Sequence, residues 1–281
     1  MFYIIKSPFN YTGGKYKLLP QITPLFPKEI NTFVDLFGGG FNVGANINCN
    51  KIIYNDSVLN LTKFFSEIYL VKDLDNLKEE IYDLLSYYNN IQTKEDYLEL
   101  RKSYNEDFDY KKLFILGNSA FNYAIRFNSK GLFNVPSGLP NCRITDDKIN
   151  NFIDYIKLIQ NKKIEFISKD FNDFNITQLK ENDFVYLDPP YYLSIAPYNN
   201  CWSLEKEKEL LLFLDKLNER NITFALSNVI FHKNKEHSLL IDWSKKYNIH
   251  YLNYDYKYTW SHKKLNENKK SKTIEVLITN Y

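Results

Sequence analysis

Asp188, Pro189, Pro190 and Tyr191 stand together at the end of the run FVYL, residues 184–187. Their types suit the activation of a poorly nucleophilic exocyclic amine, such as the amino group of adenine. The lone pair of that amine is delocalised into the ring. Acceptors on its two N–H bonds favour a pyramidal nitrogen and return electron density to it. The Asp188 carboxylate supplies one acceptor and the Pro189 carbonyl another, and a Pro-Pro turn has no N–H to compete. Tyr191 offers a flat face on which an extruded base can stack, worth ~1–3 kcal/mol per base. The plain alternative is a Pro-Pro turn with a surface acid and packed tyrosines. A four-residue string alone does not exclude it.

A second constellation lies upstream. FVDLFGGGFNVG, residues 33–44, places Asp35 near a strand end, then Phe37, Gly38, Gly39 and Gly40 before a helix. Glycines here permit positive φ and close approach of a ligand to the backbone. The spacing is not the dinucleotide fingerprint, and no Walker lysine with Ser/Thr follows. About twenty residues after Asp35, KIIYND ends a strand at Asp56, where a carboxylate can accept from two ribose hydroxyls. Nucleoside binding without a pyrophosphate cradle points to S-adenosylmethionine. A tight turn with a solvated acid is the simpler reading of the glycines alone.

Strands must position these groups. Short apolar runs at 32–36, 51–54, 164–167, 184–187, 223–226, 250–254 and 273–279 read as strands. Helical patterns occupy 15–26, 59–70, 73–88, 94–104, 149–159, 204–218 and 236–246. Strands alternating with helices imply an α/β fold, a mostly parallel sheet covered on both faces. Ligands of such sheets bind at the carboxyl ends of strands. The alternation fails between about 57 and 161, a polar helical region with a Gly/Pro patch at 128–138. The expected organisation is a catalytic domain of residues 1–56 and 162–281 with an insertion at 57–161.

Composition sets looser bounds. The chain has 281 residues, 44% hydrophobic and 25% charged, which suits one globular unit or one domain with an insertion. A net charge of +2 names no partner. The stretch 244–272 is strongly basic, with only Asp255 and Glu267 opposing its lysines; such a run is a solvated face or a nucleic-acid contact. Cys49, Cys142 and Cys201 lack metal-type spacing and read as reduced thiols of a cytoplasmic protein. The start MFYIIKSPF is too short for a signal peptide, and no later run approaches a membrane span. No metal is required by the chemistry.

These motifs together resemble the Dam-type, D12-class N6-adenine-specific DNA methyltransferases, in particular their phage members. FNYTGGKYKLLPQI (9–22) is similar to the family's N-terminal cofactor motif, FVDLFGGGFNVG to its main cofactor motif and LDPPYY to its catalytic one. FNYAIRFNSKGLFNVPSG (121–138), YNNCWSLEKEKELL (198–211), LSNVI (226–230) and DWSKKYNI (242–249) follow the phage pattern. The resemblance covers nearly the whole chain. It implies a Rossmann-like core dependent on S-adenosylmethionine, releasing S-adenosylhomocysteine, with an inserted, mainly helical target-recognition domain carrying a β-hairpin. It implies that Tyr11 and Lys15 line the cofactor site from the N-terminal segment. Phe37 and Gly38 would approach the methionine part, Asp56 would hold the ribose, and Asp170 and Phe171 would contact the cofactor adenine. Asp188 would close the site beside the target base. An exposed helix-start lysine is the simpler reading of Lys15, and core packing that of Phe37 and Phe171.

The same resemblance assigns double-stranded DNA to the hairpin 126–136, with Asn128–Gly131 as its turn and Pro136 at its close. Arg126 would donate to guanine or phosphate, and Asn122, Asn128 and Asn134 would read base edges. Phe121 or Phe127 would wedge into the stack as adenine is flipped out; core packing is an equal reading of each. The family's aromatic after NVP is replaced by Ser137, and Leu139 and Pro140 occupy its basic position; Arg143 follows nearby. The recognition sequence expected by resemblance is GATC. Residues Tyr198–Trp202 read as a loop closing over the base, or as packing.

Other functions stay open at this level. An N4-cytosine methyltransferase more often carries Ser where Asp188 stands, and a protein-amide methyltransferase Asn. A methyltransferase fold that binds DNA without turnover conflicts with the intact Asp56 and Asp188. A cognate restriction enzyme would be a further partner, in a host, viral or restriction-modification setting.

Overall fold

The computed structural model describes residues 4–193, 202–253 and 273–281. The expected basic run beyond 253, residues 198–201 of the expected loop, and Cys201 lie outside the described residues. The strands are β1 (Thr32–Asp35), β2 (Lys51–Asn55), β3 (Ile164–Ile167), β4 (Phe184–Leu187), β5 (Thr223–His232), β6 (Lys235–Glu236), β7 (Asn248–Leu252) and β8 (Thr273–Thr279). The α-helices are α1 (Leu19–Ile22), α2 (Leu59–Tyr69), α3 (Leu74–Tyr87), α4 (Lys94–Asp107), α5 (Tyr110–Ser119), α6 (Asp146–Gln160), α7 (Leu204–Glu219) and α8 (Ser238–Ser244). The chain divides into two units, Met1–Lys17 with Gly38–Ser168, and Leu18–Phe37 with Lys169–Tyr281.

In the first unit β2 and β3 pair in parallel, Ile52 opposite Ile164. Helices α2–α6 belong to the same unit. Side-chain caps start several of them: Asp73 before α3, Asp109 before α5, Thr145 before α6, and a Thr93–Asp96 capping box before α4. The inner faces of α2, α5 and α6 meet in an aromatic core in which Phe114 stacks on Phe152 at 4.1 Å and Phe64 on Phe152 at 6.0 Å. Helix α5 has no counterpart among the expected helices. Lys112 to Ser119 are all buried, so the segment lacks the polar face that gives a helix its period. The expected hairpin is present as a bridge between Phe127 and Phe133, closed by the Gly131 N–H to Asn128 carbonyl bond at 2.9 Å.

In the second unit the strand order is β1-β4-β5-β8-β7. The first three run parallel, while β8 is antiparallel to both β5 and β7. Strand β4 is buried along its whole length, as an apolar run between two parallel neighbours must be. The buried Asp183 carboxylate fixes the starts of β1 and β4. Its Oδ1 accepts from Asn31 Nδ2 (2.9 Å) and the Thr32 N–H (3.0 Å), and its Oδ2 from the Lys180 N–H (2.9 Å). Strand β5 runs beyond 226 to His232 because β8 pairs along it, with a bulge between Val229 and Phe231. The helix expected at 15–26 is a four-residue α1 flanked by 3₁₀ turns, Tyr16–Leu18 and Thr23–Leu25; Pro20 and Pro24 each remove a ladder N–H. The helix expected at 236–246 shortens to α8, since Glu236 joins β6 and His237 caps the helix.

Candidate active site

Parallel pairing of β1 with β4 brings their carboxyl ends side by side, Asp35 opposite Tyr186. Asp35 is buried at the last position of β1, and the Leu36 N–H bonds the Tyr186 carbonyl at 3.0 Å. One residue beyond β4 comes Asp188, half-buried, then buried Pro189 and half-buried Pro190. Tyr191 follows, also half-buried, with its hydroxyl 3.0 Å from Asp188 Oδ1 and 2.9 Å from Glu275 Oε1 on β8. Burial, and the Asp188 and Glu275 carboxylates beside it, push the phenol well above the usual tyrosine range. Tyr192 is more exposed, and its ring lies 5.3 Å from that of His237.

Three rings of the same unit gather in a second group. Phe37, after β1, lies 5.5 Å from Phe171, which opens the 3₁₀ turn Phe171–Asp173 after β3. Trp202 lies 5.7 Å from Phe37 and 5.8 Å from Phe171. Asp170 accepts the Asn172 N–H at 3.0 Å and pairs with Lys206 at 3.3 Å. The sequence motifs missed Glu275, Trp202 as a ring of this group, and the buried trio Glu207, Asn228 and His237. A lone acid within TIEVLIT was the available signal for Glu275; Glu207 looked like part of a charged helix face.

The first unit carries the glycine turn. A Cβ at Gly38 would meet the Tyr54 ring at 2.3 Å, and one at Gly40 would meet Tyr11 Cβ at 2.7 Å. The Tyr54 hydroxyl donates to the Gly39 carbonyl at 2.9 Å. Asp56 follows β2 and is buried; its two oxygens accept the Gly39 and Val58 N–H groups, each at 2.8 Å. Burial raises the Asp56 pKa, and those two N–H bonds oppose the rise. An ionised carboxylate has about four lone-pair sites, so capacity for ribose hydroxyls remains. These acceptor oxygens, together with glycines admitting no side chain, fit a nucleoside cofactor. Lys15 is buried rather than exposed, and its Nζ donates to the Gly13 carbonyl at 2.7 Å.

The residues expected at DNA share that unit. Phe121 is 51% exposed, whereas Phe127 is half-buried with its ring 5.8 Å from Phe133. Asn122 and Tyr123 hold positive φ, 57° and 56°, and the buried Asn122 Nδ2 finds no acceptor among the described residues. Arg126 and Asn134 are exposed and bond each other, Nε to Oδ1 at 2.9 Å. Asn128 Oδ1 accepts the Lys130 and Leu132 N–H groups and so shapes the turn itself. The carbonyl of exposed Pro136 accepts the Phe121 N–H. Arg143 is exposed, and Lys148 Nζ holds its carbonyl at 2.6 Å. Burial lowers the Lys148 pKa to about 8.

No helix among the described residues is long and apolar enough to cross a membrane. A family model described as D12 class N6 adenine-specific DNA methyltransferase matches residues 11–259. The chain is 41% identical to Modification methylase StsI of Streptococcus sanguinis, over 99% of its own length and 43% of the relative's. It is 40% identical to Type II methyltransferase M.FokI of Planomicrobium okeanokoites, again over 99% and 43%. The chain thus spans less than half the length of these two. Type II methyltransferase M1.LlaDCHI of Lactococcus lactis subsp. cremoris is 28% identical, over 98% of this chain and 95% of the relative.

Proposed function

The chain belongs to the D12 class of N6 adenine-specific DNA methyltransferases, and we infer that it methylates N6 of adenine in double-stranded DNA. One observation carries the reading: the Asp188–Tyr191 turn stands at the carboxyl end of β4, beside the carboxyl end of β1. S-adenosylmethionine, when bound, supplies an electrophilic methyl group and leaves as S-adenosylhomocysteine. Asp56 holds the ribose hydroxyls. Phe37 and Gly38 would approach the methionine part, Asp170 and Phe171 would contact the cofactor adenine, and Tyr11 and Lys15 would bind from the N-terminal segment.

Asp188 and the Pro189 carbonyl accept the two N6–H bonds of the target. As the nitrogen–carbon bond forms, the departing proton passes to the Asp188 carboxylate. Positioning and electrostatics dominate such a transfer. The base reaches the turn by leaving the duplex stack. Phe121 is the better-placed wedge, because it is exposed while Phe127 packs on Phe133. The segment 57–161 reads the duplex, through Arg126, Asn134 and Arg143 in particular, and GATC is the sequence to test first. The name modification methylase borne by a relative supports DNA modification as the role, for which a cognate restriction enzyme would be the partner.

Purified protein, unmethylated duplex DNA and methyl-labelled S-adenosylmethionine test this directly. Labelled N6-methyladenine is expected on nucleoside analysis. Labelled N4-methylcytosine, or DNA binding without label, would overturn the reading. A map of the modified adenines decides whether GATC is the site.

A further inference from the structure

Glu207 lies in the charged run SLEKEKE, yet its side chain is 0% exposed. It occupies the stripe of α7 that also buries Leu210, Leu211, Leu214 and Leu217. Three N–H groups converge on its carboxylate. Trp202 Nε1 donates to Oε2 at 2.6 Å, and His237 Nε2 and Asn228 Nδ2 donate to Oε1 at 3.0 and 3.2 Å. His237 Nδ1 accepts the Leu240 N–H at 3.3 Å, which assigns the ring hydrogen facing Glu207 to Nε2.

Each donor leads toward the site. Trp202 is the third ring beside Phe37 and Phe171. His237 touches Tyr192, next to the catalytic turn. Asn228 sits on β5, the neighbour of β4. An indole held by ring contacts alone can tilt, since edge-on and offset arrangements are both favourable. A hydrogen bond on Nε1 selects one orientation. If Glu207 served packing only, an apolar side chain would do so without the desolvation penalty of a buried carboxylate.

We propose that Glu207 is a positioning residue for the cofactor: by gripping Trp202 Nε1 it fixes the indole as one wall of the cofactor pocket beside Phe37 and Phe171. The proposal rests on the S-adenosylmethionine reading above. Its test is S-adenosylhomocysteine binding by calorimetry, with circular dichroism and a thermal melt on each protein. E207Q keeps the volume but turns an N–H₂ toward one of the three donors. W202F keeps a ring but has no N–H. Each is expected to raise Kd roughly tenfold, within the coupling range of residues sharing one network. The double variant is expected to bind no more weakly than W202F. The KM for S-adenosylmethionine should rise while kcat stays near the parent's, a split that a purely structural role would not produce. A folded E207Q with the parent's Kd overturns the proposal; if E207Q does not fold, a W202F with the parent's Kd does so. A parent protein that fails to bind S-adenosylhomocysteine overturns the cofactor reading itself, and the proposal with it.

Discussion

The Tyr191 hydroxyl lies 3.0 Å from Asp188 Oδ1, so the Asp188 carboxylate is held by a residue of its own turn. The same hydroxyl lies 2.9 Å from Glu275 Oε1. A phenol has one hydrogen to offer two carboxylates. Its pKa, raised well above the tyrosine range, keeps that hydrogen in place at neutral pH. The expected stacking face is therefore also a strut.

Y191F separates the two roles. The ring remains and the strut is lost. Hydrogen bonds to charged groups contribute roughly 1.5–3 kcal/mol, so kcat should fall about 10- to 100-fold with DNA affinity near the parent's. Single-turnover methylation and a DNA-binding titration check this; an unchanged kcat would remove the strut from the mechanism.

D188A should abolish the acceptor on the target amine. Loss of one preorganised group at a reacting centre costs on the order of 10²–10³ in rate, and duplex binding should survive. Methyl incorporation measured beside gel-shift affinity tests the pair of expectations.

The pH dependence of cofactor affinity should report Asp56. Burial raises its folded pKa above the unfolded value. Ionising it thus opposes folding: the penalty is absent below the unfolded pKa, grows as pH rises toward the folded pKa, and is complete above it. If Asp56 holds the ribose hydroxyls in its ionised form, as proposed, affinity should fall on acidification with a midpoint above the ordinary aspartate range. S-adenosylhomocysteine titrations across pH should show this fall in the parent and none in D56N.

G38A should destabilise without touching any charged group. Its Cβ would lie 2.3 Å from the Tyr54 ring, and overpacking of this kind costs typically 1–3 kcal/mol. A urea midpoint clearly below the parent's is the expected readout.

R126A tests recognition. Arg126 is exposed and pinned to Asn134. If it pairs with a guanine, its loss should cost about 1–3 kcal/mol and relax the methylation map at one position. If it meets only phosphate, binding should weaken uniformly and the salt slope should shrink by about one.

The core strands were legible because each is a short apolar run ending in an acid or a turn residue; Phe184–Leu187 and Ile164–Ile167 fall where the sequence reading puts them. Helix α5 was not, because a segment buried all round carries no 3.6-residue contrast. Asp56 and Asp188 announce themselves by standing just beyond strands. Glu207 stays hidden because its neighbours Lys206, Lys208 and Glu209 are charged, and only the placement of Leu210, Leu211 and Leu214 shows that it points inward. Glu275 lies 84 residues from Tyr191 in sequence, a separation that no local pattern bridges.

Asp183 marks the end of two strands that chemistry never visits. Four residues each, β1 and β4 leave that joint together and run roughly 13 Å before their far tips emerge. The joint therefore acts as a gauge block: it sets the level at which β1 ends in buried Asp35 and β4 gives way to half-buried Asp188. Damage to it would misalign the Asp188–Tyr191 turn in a protein whose every proposed reactive side chain was still present, a lesion legible as lost turnover with no culprit near the substrate.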